Sequence, residues 1–261
     1  MNKAIHRGSE TSTKIFDNRT LQTDYATLVP LLRKGMRVLD AGCGTGAISK
    51  GIAEKVGVDG NVLGIDNTEE FINSGKDSYR DVPNLQLMYA DLFQFQTEEK
   101  FDLVVAARVL QWLSNPNDAV RKLASLLKPG GQLSILDYNH EALFFQPAPP
   151  ESMMTFYRAF LKWRADAGMD NAIADHLRDY FLEAGLQSVE VLNADEVYKK
   201  GDRNFDQRMG IWSKVAELKQ IVEEGYLKED ERLSAIDNYN RWIEDGAQCM
   251  IMKLNEVRGK I

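Results

Sequence analysis

Short apolar runs separated by amphipathic stretches alternate along residues 37–139. Val38-Leu39, Val62-Leu63-Gly64-Ile65, Leu85-Gln86-Leu87-Met88-Tyr89-Ala90, Phe101-Asp102-Leu103-Val104-Val105-Ala106 and Leu133 to Tyr138 read as successive strands, with helical composition between them. Such alternation predicts a parallel sheet with helices on both faces. Ahead of the first strand, Leu21, Tyr25, Leu28 and Leu32 fall at helical spacing, predicting a helix over 21–32 that packs on that strand. Residues 1–20 are polar with scattered Ile5, Ile15 and Phe16, the pattern of a leader or a cap.

Beyond residue 139 the alternation changes character. Residues 140–150 contain three prolines and read as a loop, and 151–167 read as an amphipathic helix whose apolar positions include Met153, Phe156, Tyr157, Phe160, Leu161 and Trp163. Gly168 is placed to end that helix, and Asp170 or Asn171 to cap the next one over 172–184. A strand over 188–192, continuing irregularly to 198, is followed by helix-like segments at 205–223 and 229–244 and a last strand over 248–254. No internal repeat or low-complexity tract interrupts the chain.

The chemistry concentrates at the strand ends. Asp40-Ala41-Gly42-Cys43-Gly44-Thr45-Gly46 follows the first strand as a glycine-rich turn that opens a helix. Glycine permits positive φ and close ligand approach, and the first N–H groups of the helix point outward unsatisfied. The spacing is Gly-x-Gly-x-Gly, not the Gly-x-Gly-x-x-Gly of dinucleotide sites. Asp40 would repel a pyrophosphate and attract a cation, so the expected ligand is a nucleoside carrying positive charge. Asp66 ends the second strand about twenty residues after Gly46, the interval of a ribose-binding carboxylate. Asp91 follows the third, so three strand ends each deliver an acid to one edge. The plain alternative for each is a strand-end residue capping the next helix.

These linked motifs resemble the class I S-adenosylmethionine-dependent methyltransferases. Val38 to Gly46 looks like the family's first motif, Gly64-Ile65-Asp66 its second and Ala90-Asp91-Leu92 its third. Phe101 to Ala106 with Val109 to Leu113 is similar to the fourth strand and the helix after it, and Leu126 to Leu133 to the turn into the fifth. The resemblance covers roughly residues 25–140 and implies a Rossmann-like, seven-stranded, mostly parallel sheet. It implies S-adenosylmethionine as cofactor and in-line SN2 transfer of its methyl group to O, N, C or S of a small molecule. Gly42, Gly44 and Gly46 would floor the site, with Asp40 toward the cofactor's ammonium. Asp66 would take the ribose hydroxyls, Asp91 and Leu92 the adenine, and Ala106 would lie near the methyl group.

The segments 141–170 and 202–246 depart from the family pattern and are expected to form a helical lid on a domain spanning 21–261. Arg108 departs from the small or aromatic residues frequent after the fourth strand, and is a candidate for an anionic acceptor or for a surface ion pair. His140 is the candidate general base, since histidine titrates near neutrality; a loop histidine is the alternative. Tyr157 and Trp163 are candidate acceptor contacts, and the lid aromatics together would suit an apolar acceptor or form only the lid's core. His176 reads as part of a solvated helix face. A NAD-dependent Rossmann oxidoreductase and a non-catalytic cofactor-binding module are the competing readings.

Composition narrows this little. The formal net charge of −7 argues against a general nucleic-acid surface, and two cysteines are too few for a disulfide framework. The start lacks the apolar core of a secretory signal, and no stretch approaches the roughly 18 apolar residues of a membrane span. A soluble, cytoplasmic protein without a metal site is expected; oligomeric state and acceptor are not legible.

Overall fold

The computed structural model describes residues 19–261; the expected leader therefore lies almost wholly outside the described residues. A four-residue helix α1 (Leu21–Asp24) and a 3-10 turn (Ala26–Leu31) precede β1 (Arg37–Ala41), α2 (Ala47–Val56), β2 (Asn61–Asp66), α3 (Glu69–Ser78), β3 (Leu85–Tyr89) and β4 (Phe101–Ala107). Then come α4 (Pro116–Ala124), β5 (Leu127–Gln146), α5 (Glu151–Asp166), α6 (Ile173–Glu183), β6 (Gln187–Asn193) and β7 (Glu196–Lys199). Three short helices follow, α7 (Phe205–Met209), α8 (Ile211–Ala216) and α9 (Gln220–Glu223), then α10 (Glu229–Asp245) and β8 (Cys249–Lys260).

The sheet runs β3-β2-β1-β4-β5-β8-β6, with β7 also paired to β8. The first five strands are parallel neighbours, whereas β8 is antiparallel to β5, β6 and β7. Alternation along each strand divides the core. Val38, Leu103, Val105 and Leu136 pack toward α2 and the lid helices, while Leu39, Val104, Ala106 and Ile135 pack toward α4 and α6. No helix among the described residues is long and apolar enough to cross a membrane.

Several elements differ from the sequence reading. The helix expected over 21–32 ends after one turn at Asp24, where Tyr25 takes φ −149°, and the chain goes on as a 3-10 turn that contains Pro30. Tyr25 instead leaves the helix and bonds Ser134 Oγ through its hydroxyl at 2.7 Å. The proline-containing loop is shorter than expected, since β5 continues to Gln146 and pairs with an equally extended β8: Tyr138 faces Leu254, and Gln146 faces Cys249. A register shift between Asn139 and Phe144 hides this strand from the pattern; there Asn139 Oδ1 accepts from Glu141 N and Ala142 N at 2.8 and 3.1 Å. The helix expected over 205–223 is three short ones, the first two divided at Gly210. At Lys228 the backbone N–H donates to Glu231 Oε2 at 3.0 Å and starts α10, which lies along α5.

Candidate functional site

Gly42, Gly44 and Gly46 all have positive φ, at 75°, 58° and 84°. The turn they make is tied to β2: Gly42 N and Cys43 N both donate to Ile65 O, at 2.7 and 3.0 Å. Gly44 N then donates to Asp66 Oδ2 at 2.9 Å, and Thr68 N donates to Asp66 Oδ1 at 2.9 Å. Two backbone donors thus fix the carboxylate's plane, while each oxygen keeps acceptor capacity. The end of β3 joins through Ala90 N, which donates to Asp66 O at 2.9 Å. Half-buried Met88 and Leu92 and the exposed Tyr89 lie beside it.

Glycine also serves packing behind this edge. A Cβ on Gly46 would come within 2.9 Å of the Leu87 methyls, one on Gly64 within 2.9 Å of Cys43 Sγ, and one on Gly75 of α3 would overlap the Thr45 carbonyl. Nothing in the local sequence around Gly75 signals that role. A Cβ on Gly42 would overlap Val109, so the residue after Arg108 closes directly on the glycine turn.

The other acids sit differently. Asp40 is 3% exposed and accepts from Ser49 Oγ at 2.6 Å; burial, with the Asp66 charge nearby, raises its pKa to about 6. A direct contact with a ligand ammonium is therefore not what its side chain is placed to make. Asp91 is exposed, and its Oδ1 caps the following turn through Phe93 N and Gln94 N at 2.9 and 3.1 Å. Ala106 departs from the expectation: it is 0% exposed and faces α4 and α6, and the half-buried Ala107 and the buried Arg108 follow it at the end of the strand.

Asp40 carries a pH signature. Its folded pKa of about 6 exceeds the ordinary 3.8, so the folded state binds more protons between about pH 4 and 6 and stability falls as pH rises through that window. Asp137, also buried, has its pKa raised to about 6 and adds a second contribution of the same sign. Asp40→Asn is expected to reduce this slope by about half. Relative to pH 4, the variant should gain on the order of 2 kcal/mol over the native chain at pH 7, read from urea unfolding at both pH values. An unchanged slope would show that Asp40 titrates normally.

Past β4 a second group of polar residues gathers around Arg108, a non-glycine residue at φ 61°. Its Nε donates to the Tyr138 hydroxyl at 2.8 Å, and its Nη2 to Asp24 O at 2.9 Å and Glu196 Oε1 at 2.5 Å. Burial works to lower its pKa, but the surrounding Tyr138, Glu196 and Asp24 oxygens outweigh that and hold it above the usual arginine value. Glu196 also accepts from the Tyr198 hydroxyl at 2.7 Å, and Asp24 Oδ1 from Arg208 Nη1 at 2.9 Å. A buried ion pair, not a surface one, thus joins the segment before β1 to β4, β5, β7 and α7. Two adjoining cavities, about 190 and 500 Å³, open here and share Asp24, Glu196, Tyr198, Asn204 and Arg208. Sequence reasoning missed all of these but Arg108, because they come from separate segments with no shared spacing.

Tyr157, Trp163 and His140 are not brought to these cavities. Tyr157 donates to His140 O at 2.5 Å, and Trp163 is 0% exposed with its indole N–H on Glu224 at 3.0 Å. His140 is buried with Nε2 at 2.6 Å from Gln111 Oε1, and its ring packs among Tyr138, Phe160 and Trp212. Burial, then the Arg164 charge, pushes its pKa well down. These contacts make it a packing residue and argue against a base. His140→Ala is expected to cost about 2 kcal/mol, through the vacated ring volume and the orphaned Gln111 oxygen, without changing cofactor affinity. Thermal unfolding and calorimetry check both. His176 bonds Asp170 Oδ2 at 2.7 Å on an exposed face.

A parallel sheet closed by one antiparallel strand, with a glycine turn clasped to an acid at the end of β2, defines an S-adenosylmethionine-dependent methyltransferase. Residues 32–204 match the family described as "Methyltransferase domain", and the chain belongs to that family. It is 28% identical over 176 residues to the demethylmenaquinone methyltransferase of Staphylococcus aureus, covering 61% of this chain and 71% of that one. The fold resembles the YcgJ protein of Bacillus subtilis with a TM-score of 0.60, at 15% identity and covering 91% of this chain and 97% of that one. It also resembles the phosphoethanolamine N-methyltransferase 2 of Haemonchus contortus, solved with phosphomonomethylethanolamine and S-adenosylhomocysteine. That likeness has a TM-score of 0.56 at 15% identity and covers 90% of this chain, which spans about half (51%) of the Haemonchus protein. Family membership sets aside the oxidoreductase alternative.

The residues present fit S-adenosylmethionine. Asp66 offers two anchored oxygens to a vicinal diol, Met88 and Leu92 offer apolar surface to a purine, and the turn at 42–46 leaves no side chain but Cys43 and Thr45 to exclude a ligand.

Proposed function

We propose that S-adenosylmethionine lies along the ends of β1, β2 and β3, and that a small-molecule acceptor enters the cavities beside Arg108. The observation that carries this reading is the bond from Gly44 N to Asp66 Oδ2, which joins the glycine turn to the ribose carboxylate. When bound, the cofactor supplies a methyl group already activated on a sulfonium. The chain's part is to hold acceptor and donor in line, and orientation of this kind contributes several kcal/mol to rate. Val109 closing on Gly42 sets the cofactor turn next to Arg108, so the two compartments adjoin.

Neither acid of the acceptor side is a strong base. Burial acts to raise the pKa of Glu196, but the adjacent Arg108 charge and further hydrogen bonds lower it; Arg208 and local donors likewise hold Asp24 low against burial. Tyr138, pushed up to about 12 chiefly by burial, stays a hydrogen-bond donor at neutral pH. Positioning of an acceptor that is already nucleophilic is the chemistry this set supports. In this reading α5 and α7 to α10, from the segments 141–170 and 202–246, roof the chamber, and residues 21–261 form one domain.

Calorimetry tests the reading. S-adenosylhomocysteine is expected to bind with one-to-one stoichiometry and NAD not to bind. Heat from NAD alone would overturn it.

A further inference from the structure

Arg108 leaves β4 with its backbone in the left-handed region, at φ 61°. A residue with a long side chain keeps that conformation only where its surroundings over-determine it. Its N–H donates to Leu136 O at 2.7 Å, its guanidinium is held by Tyr138, Asp24 and Glu196, and its carbonyl accepts from Gln111 Nε2 at 3.1 Å. The carbonyl bond differs in kind from the others. It fixes ψ of Arg108, and ψ sets the direction in which the chain goes on to Val109. Val109 in turn fits against Gly42 so closely that a Cβ there would overlap it, and Gly42 N is one of the two donors that tie the glycine turn to Ile65 O of β2.

Gln111 is anchored from both sides to hold that carbonyl. It sits in a 3-10 turn (Leu110–Trp112) and is 3% exposed. Its N–H donates to Asp137 Oδ2 at 3.1 Å, its carbonyl accepts from Arg164 Nη2 at 2.8 Å, and its Oε1 lies 2.6 Å from His140 Nε2. An amide oxygen only accepts, so His140 is the donor and carries its proton on Nε2. That bond leaves the amide N–H₂ of Gln111 turned to Arg108 O. Asp137 and His140 belong to β5 and Arg164 to α5, so the sheet and the lid both fasten one side chain that grips the turn after β4. Arg164 is itself 0% exposed and lies over the rings of Trp112 and Phe160, 5.0 and 5.3 Å from their centroids. A buried amide with every bond made cannot rotate without breaking several at once.

Resting on the reading of residues 42–46 as the cofactor turn, we propose that Gln111 is a positioning residue of the methyl-transfer site: its side-chain amide keeps Arg108 left-handed and so keeps Val109 against the turn on which S-adenosylmethionine lies. Without the amide, Arg108 is free to relax toward the commoner backbone regions. Val109 then withdraws from Gly42, and the turn must be re-formed when the cofactor binds. Loss of the neighbouring His140 has a different consequence. It removes ring volume and the partner of Oε1, but the amide N–H₂ still reaches Arg108 O. The two residues touch, yet only Gln111 acts on the cofactor.

The test compares the native protein with Gln111→Leu and His140→Ala by two measurements: S-adenosylhomocysteine affinity from calorimetry, and hydrogen exchange of the 42–46 amides in the ligand-free chain. Gln111→Leu is expected to bind about tenfold more weakly and to exchange those amides about tenfold faster, whereas His140→Ala, also destabilised, should match the native chain in both. Gln111→Met keeps the length of the side chain without its donor and gives the same reading should leucine prevent folding. A double-mutant cycle locates the effect. In a Val109→Ala background Gln111→Leu should change affinity by less than about twofold, since the contact through which it acts is gone. Native affinity and exchange in Gln111→Leu would overturn the proposal, as would a loss that persists undiminished in the Val109→Ala background. Equal losses in Gln111→Leu and His140→Ala would overturn it too, because packing alone would then account for them. If S-adenosylhomocysteine does not bind the native chain, the cofactor reading fails, and the exchange rates still decide whether Gln111 holds the glycine turn.

Discussion

Asp66→Ala is expected to weaken S-adenosylhomocysteine binding by roughly a hundredfold while the protein stays folded. The carboxylate would accept from two ribose hydroxyls, and hydrogen bonds to a charged group are each worth about 1.5 to 3 kcal/mol. The same side chain holds Gly44 N and Thr68 N at 2.9 Å, so its removal also frees the glycine turn that the ligand must lie on. Asp66→Asn separates the two effects. The amide keeps one acceptor oxygen for one backbone donor and presents an N–H to the other, so the loss should be intermediate, about tenfold. Calorimetry at neutral pH reads both variants, with circular dichroism as the folding control. Affinity of the alanine variant within threefold of the native chain would show that the ribose lies elsewhere.

Phe160→Ala should carry the largest stability cost. Phe160 is 1% exposed, stacks on Phe156 and Trp163 at 6.3 Å, and meets His140 and Trp212 edge-on at 5.9 and 6.0 Å. Arg164 also lies over the ring, 5.3 Å from its centroid, and its Nη2 ties the lid to Gln111 O at 2.8 Å. Deleting a phenyl group from such a site costs about 3 to 5 kcal/mol. At about 2 to 4 °C per kcal/mol for a chain of this size, the melting temperature should fall by roughly 6 to 20 °C. Phe160→Leu should recover more than half of the loss. A fall below about 3 °C for the alanine variant would show that the cluster is not the lid's core.

The geometry of the edge proposed for the cofactor was legible because each of its parts is local. A strand, a glycine turn and an acid follow one another within a few residues, and the parallel register then brings Gly42, Asp66 and Ala90 together without further information. Ala106 shows the limit of that reading, since one residue of register decides whether a strand-end side chain faces the mouth or the helices behind. The acceptor side was not legible for a different reason. Arg108, Tyr138 and Glu196 meet across 30 and 88 residues of sequence, and no spacing rule links them. The irregular pairing near Asn139 hid the extended half of β5 in the same way, by breaking the period of two that marks a strand.

β8 lies between β5 and β6, although 55 residues separate it from the end of β6. Among the described residues β6 and β7 pair only with β8. The strands that carry the glycine turn and its acids, by contrast, are joined by short crossovers within residues 37–89. Their loop-closure entropy is small, whereas the ribbon of β5 and β8 must close a loop of about a hundred residues before it gains a single bond. Loop closure therefore favours the strands of residues 37–89 forming from local contacts ahead of the ribbon that joins β5 to β8.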